Sequence, residues 1–71
     1  MFPKELTDFG VCELNESTGE IRIYSAPYNY RLLPTSNAKE AYWTGNCSAI
    51  IVKYKDGSMR RWTSLDNYQV L

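Results

Sequence analysis

A chain of 71 residues allows one domain and leaves no room for a second. Its eight basic and eight acidic residues cancel, and it has no histidine. It therefore lacks both the basic excess of a dedicated double-stranded DNA binder and the commonest general base. No apolar run approaches the ~18 residues of a membrane span, so no membrane partner is expected.

A domain this short buries roughly 60% of its unfolded surface and is marginal alone. Six tyrosines, two tryptophans and two phenylalanines help, because each buried ring removes about 150–250 Å² from water. Rings are dense enough that some must lie on the surface or in a partner interface. Charge is uneven along the chain. Residues 1–20 carry one cation against five anions, and residues 21–71 carry seven cations against three anions.

The opening MFPKELTDFG lacks the basic and apolar regions of a signal peptide, so a cytoplasmic protein is expected. Cys12 and Cys47 then read as buried thiols acting as small hydrophobes, with a disulfide between them as the lesser alternative. Two cysteines without histidine do not suit a mononuclear zinc site. Neither a metal nor another cofactor is expected.

In chain order, residues 1–9 read as an ordered arm with Phe2, Leu6 and Phe9 tucked down. A helical turn opened by Pro3 is the rival. Gly10 to Leu14 reads as a strand, and Asn15-Glu16-Ser17-Thr18-Gly19 has the composition of a turn. Glu20 to Ser25 alternates, with Ile21, Ile23 and Ser25 on one face and Glu20, Arg22 and Tyr24 on the other. That is the period of a half-buried strand. After Ala26-Pro27-Tyr28-Asn29, residues 30–33 suggest a third strand, and Pro34 to Asn37 a loop. Ala38 to Thr44 is read as a strand, with a helical turn over Ala38-Lys39-Glu40-Ala41 as the rival, and Gly45-Asn46 as a tight turn.

Residues 47–63, CSAIIVKYKDGSMRRWT, form the predicted central hairpin around Asp56-Gly57. A two-residue turn would set Lys53 opposite Arg60, which is destabilising. A three-residue loop with Gly57 in the left-handed position faces Val52 with Arg60 and Ile50 with Trp62. It gathers Ile50, Val52, Tyr54 and Trp62 on one face, and this register is preferred. Beyond it, Ser64 is expected to cap a short helical turn over residues 65–68, with Val70 and Leu71 docked. A strand over Tyr68 to Leu71 is the alternative.

The expected fold is mainly β. It is a small antiparallel sheet of about five strands, curled or forming an SH3-like open barrel, with at most short helical turns.

No phosphate loop, nucleophile elbow or metal-ligand spacing is present. Glu13, Glu16 and Glu20 read as a solvated hairpin tip, and the cysteines lack an imidazole partner. No catalytic residue is assigned, and the chain is read as a non-catalytic interaction protein. Its partner-binding residues are taken to be Tyr24, Tyr28, Tyr30 and Arg31, because three tyrosines within seven residues are hard to bury in so small a core. They would present an aromatic surface with a basic margin to a protein partner or to a second copy in a homodimer. A chain of this size would suit a bacterial or phage accessory or inhibitory protein. The alternative is a module for single-stranded nucleic acid or a nucleotide. It would use Lys53, Lys55, Arg60 and Arg61, with rings for stacking and cations for phosphates.

Overall fold

The computed structural model describes residues 2–44 and 48–71. One short helix, α1 (Lys4–Phe9), precedes seven strands: β1 (Val11–Asn15), β2 (Glu20–Ala26), β3 (Asn29–Leu33), β4 (Ala38–Trp43), β5 (Ile50–Tyr54), β6 (Met59–Ser64) and β7 (Asn67–Val70). They divide into a three-stranded sheet in the order β1-β2-β3 and a four-stranded sheet in the order β4-β5-β6-β7. Every pairing is antiparallel. The mainly β, antiparallel expectation therefore stands. The strands form two sheets rather than one curled sheet of five, and neither closes into a barrel.

The break between sheets lies at residues 34–37. Pro34 has no N–H to give to a ladder, and Asn37 takes a left-handed φ of 62°, a conformation asparagine tolerates better than most residues. The chain there leaves β3 and starts β4 in the other sheet. Glycine at position 19 lets the two meet. A Cβ on Gly19 would sit 2.4 Å from the Asn37 nitrogen and 2.8 Å from that of Ala38. The Asn37 carbonyl also accepts the Lys55 N–H at 2.9 Å. Three loops from both sheets are thus pinned at one residue.

The inner faces share one core. Ile21, Ile23 and Leu33 from the first sheet meet Ala38, Ile50, Val52, Tyr54 and Trp62 from the second. Burying an aliphatic side chain of this size contributes about 1.5–3 kcal/mol, so these residues dominate the fold's stability. The central hairpin takes the preferred register, with Ile50 opposite Trp62 and Val52 opposite Arg60. Its loop closes through Tyr54 N–H to the Ser58 carbonyl, with Gly57 at φ 91°.

Three expectations are corrected. Residues 4–9 form a helix and not an extended arm. The Pro3 carbonyl accepts the Leu6 and Thr7 N–H groups, and left-handed Gly10 closes the far end on the Leu6 carbonyl. Glycine suits this closing position because it adopts the left-handed conformation without strain. Phe2 and Leu6 are buried, whereas Phe9 is exposed, because a six-residue helix can turn only one stripe to the core. At the other end, Ser64 caps a tight turn and not a helix. Its hydroxyl donates to Asp66 Oδ1 at 2.7 Å and accepts the Asp66 N–H. The chain then returns as β7, and Val70 and Leu71 stay exposed. The turn expected at Gly45-Asn46, and the roles expected of Cys47, lie outside the described residues. Cys12 is half-buried.

Candidate functional site

The outer face of the first sheet carries two cross-strand rows. Val11, Tyr24 and Tyr30 lie opposite one another across β1, β2 and β3, and Glu13, Arg22 and Leu32 form the adjacent row. Sheet alternation places them there because Ile21 and Ile23 occupy the inner positions of β2. The Tyr24 and Tyr30 rings stand 5.5 Å apart, and the Arg22 guanidinium lies 4.9 Å from the centre of Tyr30. Glu13 approaches Arg22 at 3.9 Å, too long for a strong ion pair. The Arg22 Nε is buried without a hydrogen-bond partner. A side-chain hydrogen bond with Tyr24, then the nearby Tyr30, raise the Arg22 pKa, and a guanidinium is charged at any working pH without that help.

Solvent reaches much of this face. Val11 is 44% exposed, Tyr30 45% and Leu32 51%. Tyr28, in the turn between β2 and β3, is 97% exposed. The structure therefore brings Tyr24 and Tyr30 together and sets Tyr28 at the end of the same hairpin. Arg31 does not join them. It lies opposite Ile23, on the reverse face of β3, because adjacent strand residues point to opposite sides.

The cation of the patch is Arg22, which alternation along β2 puts on the same face as Tyr24. Leu32 and Val11 were missed altogether. In Leu32-Leu33 only one leucine can turn inward, and the run itself does not say which.

The four cations of the nucleic-acid reading do not share a face. Lys53 points outward and pairs with Glu40 at 3.4 Å. Arg61 lies in the outer row with Ile51 and Gln69. Arg60 belongs to the inner row, opposite Val52 and Val70. Lys55 sits in the hairpin loop. Arg60 and Lys55 together line a cleft of about 530 Å³, shared with Pro34, Thr35, Ser36 and Tyr54 among others.

Two of the lining residues, Tyr54 and Thr35, belong to a hydrogen-bonded group that Trp62 completes. The Tyr54 hydroxyl accepts the Trp62 indole N–H at 3.2 Å and the Thr35 hydroxyl at 2.7 Å. Tyr68 packs on Trp62 with ring centres 4.7 Å apart. At the cleft's edge, Asp56 accepts the Ser58 hydroxyl at 2.6 Å and its N–H at 2.9 Å. These two bonds, in that order, hold the Asp56 carboxyl below the usual carboxylate range. Among the described residues, no three His, Cys, Asp or Glu side chains converge as metal ligands would, and no helix is long and apolar enough to cross a membrane.

No known protein family, curated protein or solved structure matches this chain.

Proposed function

We propose that this chain is a non-catalytic interaction protein that binds a protein partner through the outer face of its first sheet. The observation that supports this is the contiguous exposure of Val11, Tyr30 and Leu32 beside the protruding Tyr28. Exposed apolar patches of a few hundred Å² mark interaction sites on small domains. Tyrosine and arginine are also the residues that most often anchor protein interfaces. Tyr24 and Tyr30 supply flat area that costs little side-chain entropy to order, and Arg22 supplies a fixed charge. Acting in the cytoplasm as a small bacterial or phage accessory or inhibitory protein fits this reading.

A photo-reactive residue placed at position 30 tests it. Position 30 should crosslink to one discrete protein species, and the same group at exposed Lys39 of the second sheet should not. Leu32→Lys should abolish that crosslink while leaving the melting temperature within a few degrees. Sedimentation of the wild type and Leu32→Lys then separates a second copy from a different protein. Equal crosslinking at positions 30 and 39, or none at either, rejects the reading.

The alternative, single-stranded nucleic acid held by Lys53, Lys55, Arg60 and Arg61, makes a different demand. Oligonucleotide binding near micromolar protein should fall steeply with added salt. Its absence removes that alternative.

A further inference from the structure

The second sheet holds a cation that the fold has shaped without an ion-pair partner among the described residues. The guanidinium carbon of Arg60 lies 5.0 Å from the centre of the Tyr54 ring and 4.4 Å from that of Tyr68. Rings at this distance stabilise a cation and restrict its side chain. They do little for its five N–H hydrogens, which lie in the guanidinium plane. None of the ion pairs among the described residues includes Arg60 or Lys55. Asp56, the acid that lines the cleft, stays ionised and its charge reaches Arg60, but it forms no ion pair with Arg60.

The Tyr54–Thr35 pair adds a further donor by simple counting. Trp62 Nε1, Tyr54 and Thr35 bring one polar hydrogen each, and the two bonds joining them consume two. With Thr35 donating to Tyr54, the Tyr54 hydroxyl hydrogen is left over, and both residues line the cleft. Arg60, Lys55 and this spare hydroxyl hydrogen make the cleft rich in donors. Its volume, about 530 Å³, is within the range of small-molecule sites.

We propose that this cleft is a binding site for a small oxyanion group, a phosphate monoester or a carboxylate. Arg60 is its principal ligand, Lys55 the second charge, and the Tyr54–Thr35 pair a neutral donor. Planar oxyanion recognition is what a guanidinium held by aromatic rings does well. The exposed Tyr68 beside it offers a ring to the rest of the ligand. The site is separate from the outer face of the first sheet and stands or falls without it.

The test is a titration of the full chain at constant ionic strength, followed by the Trp62 indole N–H and the Lys55 and Ser58 amides in proton–nitrogen spectra. Three probes are used: inorganic phosphate, a nucleoside monophosphate and succinate. Saturable shifts at these groups are expected with at least one probe. Saturation by the phosphates alone assigns a phosphate site, and saturation by succinate alone a carboxylate site. Arg60→Gln should weaken binding about tenfold or more, as loss of a charge-assisted hydrogen bond does. Lys55→Gln, in an exposed loop, should weaken it about threefold without changing the melting temperature. Shifts no larger than sodium chloride alone gives, for all three probes, overturn the proposal. So does a folded Arg60→Gln that binds as the wild type does. If Arg60→Gln fails to fold, wild-type binding by Lys55→Gln overturns it instead.

Discussion

The chain turns twice with nearly the same local chemistry and very different surroundings. At Asn15-Glu16-Ser17-Thr18-Gly19, the Asn15 Oδ1 accepts the Ser17 N–H at 3.1 Å and its hydroxyl at 2.7 Å. At Asp56-Gly57-Ser58, Asp56 Oδ1 accepts the same two groups of Ser58 at 2.9 and 2.6 Å. Each turn uses a glycine at positive φ, 76° at Gly19 and 91° at Gly57. Yet an added Cβ at Gly57 would meet nothing within 4 Å, whereas at Gly19 it would strike the backbone of Asn37 and Ala38. The glycine of the second turn meets no other element, although its loop also reaches Asn37 through the Lys55 N–H. The glycine of the first joins the two sheets.

Alanine at each glycine is the sharpest measure of that difference. Gly57→Ala should cost about 1–2 kcal/mol, the strain of a side chain at positive φ. Gly19→Ala adds overpacking against backbone that cannot swing aside, and should cost about 3–5 kcal/mol in all. A domain of this size is stable by only about 4–10 kcal/mol, so Gly19→Ala should leave much of the chain unfolded. Urea melts of both variants measure the gap. Equal losses would mean that the sheets are not joined at Gly19.

The next largest effect contrasts a buried tyrosine with an exposed one. Tyr54→Phe keeps the ring but strips Trp62 Nε1 and Thr35 of their shared acceptor. Leaving a buried N–H unsatisfied should cost about 1–3 kcal/mol. Tyr28→Ser removes a whole ring from the first hairpin, but the ring is almost fully exposed. Its stability should stay within about 0.5 kcal/mol of the wild type. Thermal denaturation of both variants would expose a mistake in either burial. A large loss at Tyr28 would mean that the first sheet's outer surface is covered.

The same contrast explains what could be read from the chain. The Asp56-Gly57 hairpin was legible because its register follows from neighbours within a dozen residues. Charge repulsion between Lys53 and Arg60, and the wish of Ile50, Val52 and Trp62 for one face, are local facts. Ile21 and Ile23 were legible for the same reason. The division into two sheets was not, because it depends on Asn37 taking a left-handed φ and on Gly19 fitting against it, contacts between residues 18 apart. Helix α1 was only the rival reading because Thr7 and Asp8 are poor helix interior residues, and its stability comes from burying Phe2 and Leu6. On the outer face of the first sheet, Tyr24 and Tyr30 were legible as a surplus of rings. That Arg31 falls on the opposite face from Tyr30 was not legible, because strand alternation through Tyr30-Arg31-Leu32 takes its phase from the partner strand.

The smallest predicted effect separates the two turns by charge. Asp56 and Asn15 accept equivalent bonds, but only Asp56 titrates. Its carboxyl is held below the ordinary range by the Ser58 hydroxyl and N–H. A carboxyl whose folded value is depressed adds stability above its unfolded value, and that stability is lost as pH falls through the folded value. Asp56→Asn keeps a carbonyl acceptor for Ser58 and removes the titration. The melting temperature of the wild type should therefore fall slightly relative to Asp56→Asn as pH drops through the acid range. Asn15→Asp should create at the first turn the acid sensitivity that Asp56→Asn removes from the second. Melting curves that stay parallel for wild type and Asp56→Asn down to strong acid would show that Ser58 does not hold the carboxylate. The likeness between the two turns would then be one of shape alone.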